Sequence, residues 1–285
     1  MKFAEFDYTA PASVDEVIRA LVEGGEDAKL LAGGQSLLPT MAFRLATPRL
    51  LVDLRKVPGL EGIELREDGV RLGARVRWRD LLAHEGLRQR HPLLVRAISH
   101  VAHYQVRNRG TVGGSLAHAD PAAELPGVAV ACEAVVEVQG LRGRRGIPAG
   151  EFFTGPLTTA LARDEVILGL RFPAWSPGRR WAFQEFALRQ GDFALAGVAL
   201  HLALDAGGCL RDVRVAAIGV GDRPSRLTNA EETLEGHAAS PEVIAGAVDE
   251  ARGEVMPRSD LHATADYRRA LLGTLLERSL KEALA

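Results

Sequence analysis

Residues 106–126, VRNRGTVGGSLAHADPAAELP, are the stretch that the rest of this chain is organised to present. It is rich in Gly and Ala, carries hydroxyls, amides and acids at short intervals, and has no aliphatic stripe. A segment so poor in periodicity is expected to make no core of its own. A long irregular segment inside a compact domain is usually a binding loop. At its centre, Thr111-Val112-Gly113-Gly114-Ser115 sets two residues without a Cβ side by side. Such a turn lets backbone N–H groups come close to a ligand and form a concave nest for an anion.

An earlier stretch, Leu30–Leu38 (LLAGGQSLL), has the same design: an apolar run, Gly33-Gly34, Gln35-Ser36, then a helix-like run through Leu45. A strand that turns through glycines into a helix start aims free N–H groups and a positive dipole end at one place. Two such turns read as two walls of one site, suited to a pyrophosphate. No GxGxxG follows a strand, so a Rossmann cofactor site is not supported.

Working outward, Phe3, Phe6 and Tyr8 read as a short edge strand. Ser13-x-x-Glu16 is a capping box before Val14, Val17, Ile18 and Leu21, with Gly24-Gly25 as the stop. Lys29–Ala32 and Leu50–Leu54 read as strands around a helix over Pro39–Leu45. From Ile63 the period becomes two, a hairpin turning at Glu67-Asp68-Gly69. Asp80–Leu87 and Pro92–His103 read as helices. Val128–Val138 is an apolar run ending as a strand, Gly140–Gly146 a basic turn, and Glu165–Phe172 a strand closed by Pro173. Ala174–Arg180 (AWSPGRR) reads as a linker. Ala194–Leu204 and Leu210–Val220 then form an antiparallel sheet turning at Asp205–Gly208. Helices follow over Asn229–Leu234, Ser240–Ala251 and Asp266–Leu284. The expected domains are 1–173, with sub-domains of about 1–54 and 55–173, and 174–285.

With 285 residues, 47% hydrophobic and 25% charged, the composition is that of an ordinary globular protein. A formal charge of −2 suggests neither nucleic acid nor an anionic membrane as partner. The two cysteines, Cys132 and Cys209, are far apart, so this chain is not expected to hold an iron–sulfur cluster. The first residues lack a signal-peptide pattern, and no apolar run approaches the ~18 residues of a membrane helix. Free thiols fit a reducing, cytoplasmic setting.

KLLAGGQSLLPTM with a later LVDL, QVRNRGTVGGSLAHADPAAELP, and RQGDFALAGVA before a sheet and helices together resemble the FAD-binding medium subunit of molybdenum hydroxylases. Carbon monoxide dehydrogenase and xanthine dehydrogenase belong to that family. The resemblance runs in the family's order from Phe3 to about Leu280. It implies an α+β chain: an FAD-binding domain of the p-cresol-methylhydroxylase-like type, then a small antiparallel sheet packed with helices. It also implies non-covalent FAD here, a molybdenum cofactor on a large partner subunit, and [2Fe–2S] clusters on a small one. The expected assembly is a dimer of heterotrimers.

By position, the resemblance implies that Lys29, Leu31, Ala32, Gly33, Gly34, Gln35, Ser36 and Leu37 wrap the pyrophosphate and part of the adenosine. Thr111, Gly113, Gly114 and Ser115 would form the opposing wall. Ala102, His118 and Ala123 belong to the same set. Glu124, where many relatives have Asp, would bond ribityl or ribose hydroxyls. Ile167 would pack on the adenine, and Asp192 and Phe193 would lie by the isoalloxazine.

Three constellations carry a second interpretation. Asp120 and Glu124 can be an acid/base pair, or a ligand contact with Asp120-Pro121 capping a helix; the second is favoured, since flavin chemistry leaves the protein mainly orientation and electrostatics. His100, His103 and His118 lack the spacing of a metal set. Arg107 and Arg109 either neutralise phosphate or pair with a neighbouring subunit, or are solvated loop charges, and Arg142, Arg144 and Arg145 read as a basic hairpin tip or subunit contact. Two further classes stay open at this point: a self-sufficient flavoenzyme of the same fold, and a scaffold without cofactor.

Overall fold

The computed structural model describes residues 2–285. Its first unit runs β1 (Asp7–Thr9), α1 (Val14–Gly24), β2 (Ala28–Leu31), α2 (Leu37–Ala42) and β3 (Leu50–Asp53). The three strands are parallel, in the order β1-β3-β2. Only the end of the expected aromatic strand is one, because β1 pairs with β3 from Asp7 onward. Ser13 Oγ accepts the Glu16 N–H at 3.2 Å, but the Glu16 carboxylate takes the Ala12 N–H at 2.8 Å, one residue before the reciprocal bond of a standard capping box. Val17, Ile18 and Leu21 are buried on one face of α1, and Gly25 at φ 54° ends it.

The second unit is wrapped around a five-stranded antiparallel sheet whose strands, in spatial order, span residues 63–66, 69–73, 166–173, 135–140 and 143–148. Strands β4 (Ile63–Arg66) and β5 (Gly69–Gly73) form the expected hairpin. Five helices follow: α3 (Trp78–Ala83), α4 (Glu85–Arg90), α5 (Pro92–His100), α6 (Tyr104–Arg107) and α7 (Val112–His118). Then come α8 (Glu124–Ala131), β6 (Val135–Gly140), β7 (Gly143–Pro148), α9 (Ala149–Phe152), β8 (Phe153–Gly155), β9 (Thr158–Thr159) and β10 (Val166–Pro173).

Several sequence expectations change here. The helix expected over Asp80–Leu87 is two helices, broken at His84, whose Nδ1 accepts the Leu87 N–H at 3.2 Å and so caps the second. The run Val128–Val138 begins as the end of α8, which is buried almost all round and so has no face for a period to mark. Most of the supposed basic turn Gly140–Gly146 is strand, the reversal lying at Leu141-Arg142. Asp120 does not cap a helix; its carboxylate accepts the Ala122 N–H at 2.9 Å in a turn, and α8 starts later with Ala123 as its cap residue.

The largest correction falls on Val106–Pro126. It is not one irregular loop, and it does contribute core. Val112 and Leu116 are fully buried on α7. The two glycines disfavour helix by about 1 kcal/mol each and leave no side chains for a period to register. What compensates is close packing: a Cβ on Gly113 would lie 2.8 Å from the Ala74 Cβ and 3.0 Å from its carbonyl oxygen.

The last unit is a four-stranded antiparallel sheet, β11 (Arg180–Phe186), β12 (Ala196–Leu204), β13 (Leu210–Ile218) and β14 (Ser225–Arg226), in that order. Helices α10 (Thr228–Leu234), α11 (Pro241–Glu254) and α12 (Ala265–Leu284) follow. Ala196, Val198, Leu200 and Leu202 of β12 face these helices, while Ala199 joins the core around α5 and α8. Both faces of the sheet are thus covered, which ties the last unit to the wall that carries α8. Arg268 reinforces the joint from α12: its guanidinium donates to the carbonyls of Leu195 at 2.7 Å and Gly219 at 3.0 Å, and to Asp260 at 2.7 Å.

Candidate functional site

Strand β2 ends at Leu31, and the chain turns through Ala32–Ser36 into α2. Gly34 holds φ 73°, which a side chain resists. The N–H groups of Gly33, Gly34, Gln35 and Ser36 donate no hydrogen bond within the described residues, and Ser36 does not cap α2 with its side chain. Buried or half-buried N–H groups left unpaired in a native fold are waiting for an acceptor. Gln35 Nε2 reaches back to the Gly33 carbonyl at 3.3 Å, and Thr40 Oγ1 donates to the Ser36 carbonyl at 2.8 Å, so the bend is braced from behind.

The second bend faces the first. A Cβ on Gly33 would overlap the Arg109 carbonyl oxygen and lie 3.0 Å from the Gly110 Cα. Gly33 is therefore glycine because another backbone passes over it. Yet the second bend is built differently from the N–H nest its sequence suggests. The N–H of Val112 donates to Val76 at 3.0 Å, that of Gly113 to Ala74 at 2.8 Å and that of Ser115 to Thr111 at 3.0 Å. The Gly114 N–H is taken by Thr111 Oγ1 at 3.2 Å, the helix cap of α7. This bend is a rigid wall with few donors to spare.

The remaining sequence-derived residues divide in two. Ala102 stands at φ 42°, and Arg107 donates to the carbonyls of Val101 and Ala102, each at 2.8 Å. Arg107 is thus a brace, whereas Arg109 is exposed. A Cβ on Gly191 would lie 2.6 Å from the His103 Nδ1 and 3.0 Å from the Ala102 oxygen, so the Asp192-Phe193 loop rests on the Ala102 turn. Asp192 and Phe193 then line an open cleft of about 690 Å³ with Asp120, Pro121 and Ala122; Phe193 is 66% exposed. Lys29 is exposed on β2, and Leu31 is buried beneath the first bend. Ile167 lies in β10, buried in the core that α7 and α8 complete, which gives it a supporting position under the second bend.

Glu124 opens α8 and is half-buried. Burial first, then the charges of Glu185 and Asp120, push its carboxyl up to about 8 against the pull of a backbone hydrogen bond. His118 stands 4.0 Å from Asp120. His100 pairs with Glu185 at 3.1 Å rather than with His103. Among the described residues no three His, Cys, Asp or Glu side chains are grouped to hold a metal ion. The pairing of His100 with Glu185 had no local signal, since the two are 85 positions apart.

Comparison with known proteins follows the same outline. Residues 4–175 match the family described as FAD binding domain in molybdopterin dehydrogenase, and residues 181–283 the CO dehydrogenase flavoprotein C-terminal domain. The chain is 42% identical over 283 residues to the nicotine 6-hydroxylase medium subunit of Paenarthrobacter nicotinovorans, covering 99% of each. Its structure superposes with a TM-score of 0.97 on a chain of carbon monoxide dehydrogenase from Hydrogenophaga pseudoflava, at 39% identity and covering 99% and 98% of the two chains. Quinoline 2-oxidoreductase from Pseudomonas putida 86 gives a TM-score of 0.94 at 38% identity, covering 100% and 98%.

Proposed function

The chain belongs to the FAD-binding medium subunits of molybdenum hydroxylases, and from that premise we propose that it is the electron-transfer flavoprotein of a three-subunit enzyme. In this reading a small partner delivers electrons from its [2Fe–2S] clusters, a large partner carries the molybdenum cofactor, and an external acceptor takes the electrons away. Two such heterotrimers pair, in the cytoplasm. The fold is of the p-cresol-methylhydroxylase-like type, with an FAD domain over 1–173, divided near residue 54, and a sheet-and-helix domain over 174–285. No helix among the described residues is long and apolar enough to cross a membrane.

The observation that carries the reading is the meeting of Gly33 with Arg109 and Gly110, which leaves the unpaired N–H groups of Gly33–Ser36 beside the wall formed by Thr111–Ser115. Those residues fit a diphosphate. The donors of the first bend hold its oxygens, and Gly114 and Ser115 shape the opposite side. Lys29, Ala32 and Leu37 extend the first bend. His118, Ala123 and Glu124 follow the second wall toward the hydroxyl-bearing part of the cofactor, with Ile167 supporting from the sheet. Ala102, Asp192 and Phe193 lie where a flavin ring would reach. Bound FAD supplies the redox chemistry; the protein binds it, orients it and limits water around it.

The test is titration of the purified chain with FAD, followed by flavin fluorescence and absorption. Stoichiometric, non-covalent binding without turnover of substrates by the chain alone supports the reading. A flat titration removes it, and turnover by the chain alone points to a self-sufficient flavoenzyme.

A further inference from the structure

One segment, residues 101–110, joins the two ends of the site, and Arg107 is its side-chain anchor. At one end the Arg109 carbonyl and the Gly110 Cα pass over Gly33, where the two walls meet. At the other end Ala102 holds φ 42°, a left-handed conformation that a Cβ resists. Gly191, itself at φ 89°, lies against that turn: a Cβ on it would overlap the His103 ring and stand 3.0 Å from the Ala102 oxygen. Asp192 and Phe193 follow at once and line the larger cleft. The same ten residues therefore fix the diphosphate walls and carry the support of the Asp192-Phe193 loop.

Arg107 closes this segment on itself. From α6, its Nη1 donates to the carbonyls of Val101 and Ala102, each at 2.8 Å. Those carbonyls belong to the two peptide groups that flank Ala102. Peptide groups are planar, so their relative orientation is what the φ and ψ of Ala102 describe. A single nitrogen shared by both oxygens thus holds Ala102 in the conformation it would otherwise leave. Strained backbone persists only where its surroundings over-determine it, and such strain gathers at ligand sites. Gly110 has anchors of its own: its N–H donates to the Val106 carbonyl at 2.7 Å, and its carbonyl accepts from the Trp78 N–H at 3.2 Å.

We propose that Arg107 is a positioning residue that sets the span between the diphosphate end and the ring end of the site. It makes the chain select a ligand that reaches both ends, a dinucleotide with a planar ring beyond its diphosphate, over one that reaches the diphosphate walls alone. The proposal rests on the FAD reading above, in which Asp192 and Phe193 lie by the ring. A two-headed ligand gains from its second head only when the two subsites stand at the separation its own length sets. Without the guanidinium, Ala102 relaxes, the surface under Gly191 shifts, and the Asp192-Phe193 loop moves with it. The crossing of Gly33 by Arg109 and Gly110 stays, because it does not use the Arg107 side chain.

The test compares FAD with ADP, which carries the adenosine and diphosphate but no ring, by calorimetric titration of the full chain. In Arg107→Met the FAD dissociation constant should rise by about ten- to a hundredfold, as for a misplacement of about 1 Å, while that of ADP stays within about threefold of the parent. The visible circular dichroism of the bound flavin should change with it. Arg107→Lys, whose ammonium can serve both carbonyls, should restore most of the FAD affinity and the parent spectrum. Ala102→Gly added to Arg107→Met should recover part of the loss, since glycine adopts the left-handed turn without a brace. Should Arg107→Met fail to fold, Arg107→Gln, which keeps one shorter donor, is read by the same ratio of the two constants. A variant that weakens FAD and ADP alike, or neither, overturns the positioning role and leaves the FAD reading intact. So does a loss that neither the lysine nor the added glycine recovers. A parent chain that binds no FAD overturns the FAD reading instead.

Discussion

Replacing Gly33 by Ala tests the site where its two halves meet. The added methyl would overlap the Arg109 carbonyl oxygen, 2.9 Å from the Arg109 carbonyl carbon and 3.0 Å from the Gly110 Cα. All three are backbone atoms, so no side chain can swing away, and relief requires the two bends to part by on the order of 1 Å. Overpacking of this kind costs about 1–3 kcal/mol of stability. In a chain of this size that lowers the melting temperature by several degrees. The larger effect should be on the cofactor: a misplacement of about 1 Å between groups that must act together weakens their joint action by ~10²-fold. The expected result is a folded chain whose FAD dissociation constant has risen about a hundredfold, read by fluorescence titration with circular dichroism as the check on folding. Gly114 separates the two effects, because a Cβ there meets only Thr111 Oγ1, at 2.8 Å. Gly114→Val should keep the core and lose FAD, since it fills the space on the ligand side. A folded Gly33→Ala chain with FAD affinity within threefold of the parent would refute the placement of the two walls.

Thr111 is 5% exposed and caps α7 through its hydroxyl, so Thr111→Val, of the same shape, should lower stability by about 1 kcal/mol in urea unfolding; an unchanged midpoint would show that the cap carries no weight. Arg268→Met leaves the carbonyls of Leu195 and Gly219 without the Arg268 donor, while the half-exposed Asp260 carboxylate keeps the N–H groups of His262 and Ala263, so the change should cost about 1–3 kcal/mol by the same assay; an unchanged midpoint would contradict the bracing role given to Arg268. His201 is held neutral by burial first and then by the Arg179 charge, its titration lowered to about 3, and burial does the same for His91. The unfolded chain therefore binds more protons than the folded one between about pH 6.5 and pH 3, so this stability is complete above pH 6.5 and is lost as pH falls. His201→Gln keeps a side chain able to accept from Arg179 and donate to the Ala131 carbonyl, so it should make the acid limb of the melting curve shallower; an unaltered limb would place the titration elsewhere.

The elements most legible in the sequence are those with one buried face and one wet one. Ser13, the apolar spacing of α1 and the period-two hairpin β4–β5 are of this kind, and each lies within a residue or two of its expected place. Where burial is complete the pattern vanishes. Helix α8 is apolar all round, and its run was read as the approach to a strand. Strand β12 carries apolar residues at alternate positions, Val198, Leu200 and Leu202, but Gly197, Ala199 and His201 between them are buried as well, so the alternation does not mark a wet face. His100 and Glu185 were visible singly and illegible as a pair. Glu185 reaches His100 only because β11 crosses α5, a tertiary fact with no local trace.

The two Gly-Gly motifs show why a motif alone underdetermines chemistry. Gly33-Gly34 and Gly113-Gly114 are the same letters in similar company, and the sequence assigns them the same task. In the fold they divide it. The first pair interrupts the chain between a strand and a helix, where nothing among the described residues pairs with its N–H groups, so it is the donor side. The second pair lies inside a helix whose N–H groups are committed to Val76, Ala74 and Thr111, so it contributes shape and rigidity. Gly33 is fixed by the backbone passing over it and Gly113 by the Ala74 backbone beneath it, while Gly114 alone retains room on one side. A ligand held in this arrangement is bonded from one wall and located by the other. Substitutions on the donor wall should therefore act through lost hydrogen bonds, and substitutions on the supporting wall through displaced geometry.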